Sequence, residues 1–337
     1  MGLYIGFLFV FIAGILQGTF LLPMTFTRKW AWEHTWAAFS LLGMFCFNWV
    51  IALLIIPDIG ATYGSFPGSY LAVLIAFGAA WGCGAILFGL GMDRLGMALG
   101  YPIIMGLIAS LGGLIPLLVF FPGTLLRTRG LALLVGTGIA ILGIVLCAIA
   151  GARKQALAGS RTEAKSINFR VGLVIAILAG ILSCFPNIGL AFVTNVIAAT
   201  HRPGTSKPFS SNAIWALFFG VGFLINFAYC VYLMSKHKNL KDFMRPETAR
   251  NMGLTSLMAI MWIGSFYLYG MGAVKMGKWG VVVGWPLFIS LSIGVGNLWG
   301  IWRGEWKGAA PSARLLLSGG LFVLLLAVFV IASSNLV

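Results

Sequence analysis

A chain of 337 residues with 60% hydrophobic and only 9% charged side chains, and a mean hydropathy of +1.01, has too little polar surface to fold as a soluble globule. Its net charge of +15 raises nucleic acid as a partner, but the 22 Lys and Arg residues cluster in the gaps between long apolar runs and form no nucleic-acid-binding stripe. Ten apolar stretches of about twenty residues remain. Each is long enough to cross a hydrocarbon core of about 30 Å as a helix, and too long and evenly apolar for a barrel strand.

In chain order the pattern predicts membrane helices over residues 2–24, 36–57, 69–91, 96–121 and 130–151. After a polar linker at 152–169 it predicts five more, over 170–193, 212–234, 251–273, 279–301 and 314–335. The first run has no Lys or Arg before Arg28 and no small-residue cleavage site, so it reads as a retained helix and not a signal peptide. The odd-numbered connections carry 16 of the 22 basic residues and the even-numbered ones 6. By the positive-inside rule the odd connections are cytoplasmic and both termini are periplasmic. The basic runs at 153–170 and 236–250 read as topology determinants, with a phospholipid-binding or regulatory role as the alternative. Cys46, Cys83, Cys147, Cys184 and Cys230 all fall inside predicted spans, without a CxxC pair or a His at metal-ligand spacing. They read as small apolar packing residues; no metal site and no disulfide framework is expected.

The chain is built twice. Residues 81–96 align without gaps on 262–277, matching Trp81, Leu87, Gly89, Gly91 and Gly96 to Trp262, Leu268, Gly270, Gly272 and Gly277. Gly100-Tyr101-Pro102-Ile103 answers Gly284-Trp285-Pro286-Leu287, and Ala13-Gly14-Ile15-Leu16 answers Ala179-Gly180-Ile181-Leu182. Each half, 1–151 and 170–337, holds five spans, an odd number, so the halves lie upside down relative to one another. The expected fold is therefore all-α and polytopic, with ten transmembrane helices in two inverted five-helix repeats. Inverted repeats are a secondary-transporter architecture, with a site near the midplane where the halves meet; an old duplication in a protein that does not transport is the alternative. Glycine, 45 residues, recurs at small-xxx-small spacing such as Gly78-Gly82 and Gly96-Gly100, which lets helices approach closely. Pro102 and Pro286 are expected to bend helices that line the pathway.

The segment Arg28-Lys29-Trp30-Ala31-Trp32-Glu33-His34-Thr35-Trp36 resembles the basic, tryptophan-rich first connection of the L-rhamnose–proton symporter family. So do Phe77-Gly78-Ala79-Ala80-Trp81-Gly82, Phe88-Gly89-Leu90-Gly91-Met92 and Leu95-Gly96-Met97, with Met261-Trp262 and Glu305-Trp306 similar in the second half. The resemblance covers most of the chain and is stronger in the first half. It implies the ten-helix inverted-repeat fold of the drug/metabolite transporter superfamily and uptake of a deoxyhexose across the bacterial inner membrane, driven by protons. No cofactor is implied beyond the proton itself, and the partners implied are a sugar and the surrounding lipid.

A sugar site needs hydrogen-bond partners for hydroxyls and an aromatic face for the apolar side of the ring. On the repeat-related helices Gln17, Asn187, Trp81, Tyr101, Trp262 and Trp285 meet that need as substrate-binding candidates, although for any single Asn a helix–helix hydrogen bond serves as well. Proton coupling needs a titratable group, and none of the seven acids or three histidines lies mid-span. Glu33, among Trp30, Trp32 and Trp36, is the first proton-coupling candidate, with an interfacial pair to Arg28 or Lys29 as the alternative. Asp93, beside Arg94, is the second, with a loop ion pair as its alternative. There is no Walker loop, HExxH, GxSxG or metal cluster, so an enzyme is not expected. Two rivals remain open: an exporter of small metabolites on the same fold, and a membrane sensor that binds sugar without transporting it.

Overall fold

The computed structural model describes residues 2–333 apart from 57, 65, 96, 158–165, 198–211 and 305, and is helical, without a strand among the described residues. Ten segments are long and apolar enough to cross a membrane: α1 Gly2–Phe26, α2 Trp32–Ile55, α3 Gly68–Met92, α4 Ile103–Phe120, α5 Gly130–Gly151, α6 Arg170–Phe192, α7 Ala213–His237, α8 Thr248–Lys275, α9 Gly280–Trp302 and α10 Pro311–Ile331. They match the spans read from hydropathy to within a few residues. The exceptions have local causes. Helix α2 starts at Trp32 instead of 36, after an extended Ala31, so Glu33 and His34 lie in its first turn. Its middle, Ser40–Phe47, is a π-helical turn. Helix α1 is regular to Thr19 and ends in a 3-10 turn that Pro23 opens. Helix α6 is interrupted at Cys184, and Pro186 sits in the first turn of its second piece, where its missing N–H costs nothing. Pro286 lies within α9.

Burial runs opposite to that of a soluble protein. Leu54, Leu315 and Phe329 expose 72 to 80% of their surface on the outside of the bundle, whereas Asn48, Asn187, Asn226 and Ser265 are fully buried. Lipid tails are as apolar as leucine, so apolar surface costs nothing there, and the polar side chains turn inward to find partners.

Packing follows a regular scheme. Helix α1 lies against α8 and α9, α6 lies against α3 and α4, and α5 pairs with α10, α4 with α9, and α2 with α7. Glycines set the closest approaches. A Cβ on Gly14 would sit 2.6 Å from Leu291 Cβ, and one on Gly180 2.6 Å from Leu107 Cβ. Where α5 meets α10, a Cβ on Gly143 would sit 3.1 Å from the Gly320 carbonyl, and one on Gly320 3.0 Å from the Gly143 carbonyl.

The connections sort onto two faces. On one, the Arg28 backbone and Asn251 side chain exchange two hydrogen bonds of 3.2 and 2.8 Å, and Trp30 Nε1 donates to the Asp242 carbonyl at 3.2 Å. There too Arg303 stacks over Phe26 and Lys154 over Trp306. On the other, the Tyr63 hydroxyl donates to the Ala213 carbonyl and Phe121 packs on Trp279 at 4.5 Å. Each of these contacts joins two odd or two even connections, or the helix ends that adjoin them, as an even alternation of ten spans requires.

A Cβ on Gly78 would lie 2.5 Å from the Phe218 carbonyl oxygen, a backbone atom that cannot swing away, whereas one on Gly138 meets nothing within 4 Å. Gly78→Ala is therefore expected to lower the unfolding midpoint in detergent, at a cost of about 1–3 kcal/mol. Gly138→Ala is expected to leave it unchanged or raise it slightly, since alanine is the better helix former by about 1 kcal/mol. Scanning fluorimetry on the two purified variants checks the contrast.

Candidate functional site

Three of the six expected sugar-site residues come together where α1, α3 and α8 meet. The repeat mates Trp81 and Trp262 stack face to face, with ring centroids 5.9 Å apart and planes 24° from parallel. Phe219 of α7 packs against both, at 4.9 and 4.7 Å, and Phe39 of α2 meets Trp262 edge-on at 5.3 Å. Gln17 reaches the same helix α8 one turn beyond Trp262. Its Oε1 accepts from Ser265 Oγ at 2.7 Å, and its amide nitrogen makes no hydrogen bond among the described residues. A half-buried amide with donors to spare, one turn from paired indoles, supplies the group types that a ring with hydroxyls on its edge and C–H bonds on its face requires.

The other three do not join this group. Asn187 and Trp285 form a separate cluster with Tyr269 where α6, α8 and α9 meet. The Tyr269 hydroxyl donates to Asn187 Oδ1, and Asn187 Nδ2 donates to the carbonyls of Gly112 and Val281 at 2.7 and 2.9 Å. Val281 is next to the carbonyl of Val282, which Pro286 cannot serve. Trp285 donates Nε1–H to the Ile108 carbonyl at 2.9 Å and packs edge-on against Tyr269. Every polar atom of Asn187 is engaged in holding four helices together, the arrangement that the alternative for buried asparagines describes. The side chains of Tyr101 and Asp93 lie outside the described residues.

Glu33 lies at the face formed by connections 1 and 7. It is 5% exposed, and its Oε1 accepts from His237 Nδ1 and from Asn239 Nδ2, both at 2.8 Å. His34 is fully buried between Trp30 and Phe243, and donates Nε2–H to the Asn239 carbonyl at 3.0 Å, leaving Nδ1 without a partner. The alternative reading pairs Glu33 with Arg28 or Lys29. Instead Lys29 pairs with Glu247 at 3.0 Å, and Arg28 engages Asn251 through its backbone. The hydrogen bond from Lys29 holds the Glu247 carboxyl below the usual carboxylate range. With its folded value depressed, what this pair adds to stability is present above the ordinary carboxylate range and is lost only as pH falls below it, so it does not switch near neutrality. Lys29 and Lys238 both adopt left-handed backbone angles, φ 56° and 54°. Such angles are costly for residues with a Cβ and persist where surrounding contacts enforce them. His237 and Asn239, 204 and 206 residues from Glu33, carry no sequence signal that ties them to it.

A family model described as L-rhamnose-proton symport protein (RhaT) matches residues 2–335. The L-rhamnose-proton symporter of Cronobacter sakazakii (strain ATCC BAA-894) is 30% identical over 333 residues, covering 96% of this chain and 95% of that protein. The L-rhamnose-proton symporters of Yersinia pestis (strain Pestoides F) and Yersinia pseudotuberculosis serotype O:1b (strain IP 31758) are each 28% identical over 334 residues, with the same coverage.

Tyr269 and Asn187 are each other's buried partners, which makes their coupling measurable. Tyr269→Phe and Asn187→Leu should each lower the unfolding midpoint. A double-mutant cycle should return a coupling of about 0.6–1.7 kcal/mol, the range for interhelical hydrogen bonds in a bilayer. Additive losses would show that the two residues act independently.

Proposed function

The chain belongs to the L-rhamnose-proton symport protein family, and from that premise we propose that it imports L-rhamnose or a related deoxyhexose together with a proton across the bacterial inner membrane. The family match over residues 2–335 carries this reading. Transport proceeds by alternating access in two inverted five-helix repeats of the drug/metabolite transporter type, 1–151 and 170–337, joined by the linker 152–169. The packing scheme supports this architecture. Rotation of one half onto the other carries the α1 contacts with α8 and α9 onto those of α6 with α3 and α4. It also carries Gly14 against Leu291 onto Gly180 against Leu107. The surplus of basic residues on the odd connections puts that face in the cytoplasm and both termini in the periplasm.

Gln17, Trp81 and Trp262 hold the sugar, with the stacked indoles offering faces and the free Gln17 amide offering donors. Asn187 and Trp285 fix the helices around it, and Tyr101 joins them by its place in the repeat. Glu33 carries the coupling proton, with Asp93 as the second candidate. A deprotonated Glu33 makes charge-assisted hydrogen bonds that clamp connection 1 to connection 7 through His237 and Asn239. Protonation removes that charge and loosens the clamp on the cytoplasmic side, so proton binding and the opening of that face are linked.

In proteoliposomes, labelled L-rhamnose should accumulate above equilibrium only under an acid-outside pH gradient. Glu33→Gln should abolish accumulation and spare sugar exchange; accumulation at the level of the unmodified protein would remove Glu33 from coupling. Trp262→Ala should cut uptake about tenfold and Trp262→Phe much less, the difference made by an aromatic face against a sugar ring.

A further inference from the structure

Helices α2 and α7 share an interrupted match. Trp36-Ala37, Phe39 and Gly43 answer Trp215-Ala216, Phe218 and Gly222 at constant spacing. Phe45 and Asn48 answer Phe223 and Asn226 once one extra residue is allowed in α2 after Gly43. The π-helical turn Ser40–Phe47 absorbs that residue, because its wider ring takes up one residue without breaking the helix. Helix α7 stays α-helical over Asn212–His237. The mates Phe45 and Phe223 stack on one another at 5.1 Å. Gly43 faces Ala259 of α8, where Gly222 faces Gly78 and Trp81 of α3.

The polar ends of this crossing are not equivalent. Trp36 donates Nε1–H to Asn226 Oδ1 at 3.1 Å. The reciprocal bond, from Trp215 Nε1 to Asn48 Oδ1, is not made: Trp215 is fully buried and its Nε1 has no acceptor among the described residues. Asn48 is nevertheless in contact with Trp215, since its Nδ2 donates to the Trp215 carbonyl at 2.8 Å. The Asn48 Oδ1 that would serve the indole accepts instead from the Tyr267 hydroxyl at 2.9 Å. An unpartnered N–H buried in a membrane bundle is expensive, and the residue whose oxygen would serve it by repeat position is already bonded to the backbone of Trp215.

We propose that Trp36–Asn226 and Trp215–Asn48 are alternate locks of the α2–α7 crossing, made one at a time, and that each transport cycle exchanges the first for the second as Tyr267 releases Asn48. The inference rests on the alternating-access reading above, because swapping the conformations of two inverted halves carries one contact onto the other. Trp36 lies towards the face of connections 1 and 7, and Trp215 towards that of connections 2 and 6. Each lock therefore holds its own face shut, and the positioning residues are Trp36, Asn48, Trp215, Asn226 and Tyr267.

Ala37 and Ala213 are 2% and 1% exposed beneath the two faces, so a cysteine at either position reports whether that face has opened. The probe is a polar maleimide applied to full-length protein in nanodiscs, with the five native cysteines replaced. Trp36→Phe should raise labelling at 37 and lower it at 213, and Trp215→Phe should do the reverse. Each shift should be about three- to tenfold, the effect of one interhelical hydrogen bond. The double variant should return to the parent ratio. Tyr267→Phe, which frees Asn48 without altering either indole, should move labelling in the same direction as Trp36→Phe. Single variants that shift labelling the same way, or do not shift it in a parent whose labelling responds to L-rhamnose, would overturn the locks alone. A parent whose labelling ignores L-rhamnose and which shows no sugar exchange overturns the transport reading and the locks with it.

Discussion

Hydrocarbon offers neither donors nor acceptors, so each amide, indole and hydroxyl carried into the bilayer must find its partner on another helix. Of the four fully buried asparagines among the described residues, three, Asn48, Asn187 and Asn226, tie transmembrane helices to one another. Asn48 ties α2 to α7 and α8, Asn226 ties α7 to α2 and α3, and Asn187 ties α6 to α4, α8 and α9. Apolar packing in lipid gains nothing from the hydrophobic effect, so these bonds carry the specificity that a water-driven core supplies elsewhere. Asn48 and Asn226 join α2 and α3 to α7 and α8, while Asn187 joins α6 both to α4 and to its later neighbours α8 and α9.

Close approach is the complementary requirement. A hydrogen bond from a short amide to a neighbouring backbone carbonyl needs the two helices nearly in contact, and glycine supplies that. Gly82 and Gly222 bring α3 and α7 together, and both offer their carbonyls to Asn226. Glycine surfaces present no side chains that interdigitate, so such contacts hold helices together while leaving few barriers to sliding. Fixed polar ties and smooth glycine tracks are what the proposed alternating access would need where helices slide past one another.

Much of the fold was legible in the sequence, because membrane spans are written in composition and need no knowledge of the tertiary contacts. The repeat is legible at Trp81 and Trp262, where the spacing is uninterrupted, and these two rings stack on one another. The match between Trp36 and Trp215 was hidden by a single inserted residue, whose π-helical accommodation leaves no mark in hydropathy. The site was less legible. Asn187 looks like a sugar ligand from its position, and only the geometry shows all its hydrogen-bonding capacity spent on helices. Glu33 was visible as a carboxylate among tryptophans, but its partner is a histidine from a distant connection, brought near by the alternation of spans and not by any motif.

Departures from symmetry are the most informative feature of a duplicated chain. If both halves made equivalent contacts everywhere, the structure would sit at the midpoint of any exchange between them. Here Trp36 has its acceptor and Trp215 does not, while the face of connections 1 and 7 carries the network of Glu33, His237, Asn239 and His34. The contacts named on the opposite face are a hydrogen bond at Tyr63 and a ring contact at Trp279. On the proposed coupling at Glu33, a proton would act on one face directly, and on the other only through the shared α2–α7 crossing. Helix α2 joins the two effects, since Glu33 and Trp36 lie one turn apart at its start and Asn48 lies beyond the π-helical turn. On the proposed exchange of locks, a charge change at the start of α2 would reach Asn48 through the wide turn between them, which is the place in this helix where register has room to shift.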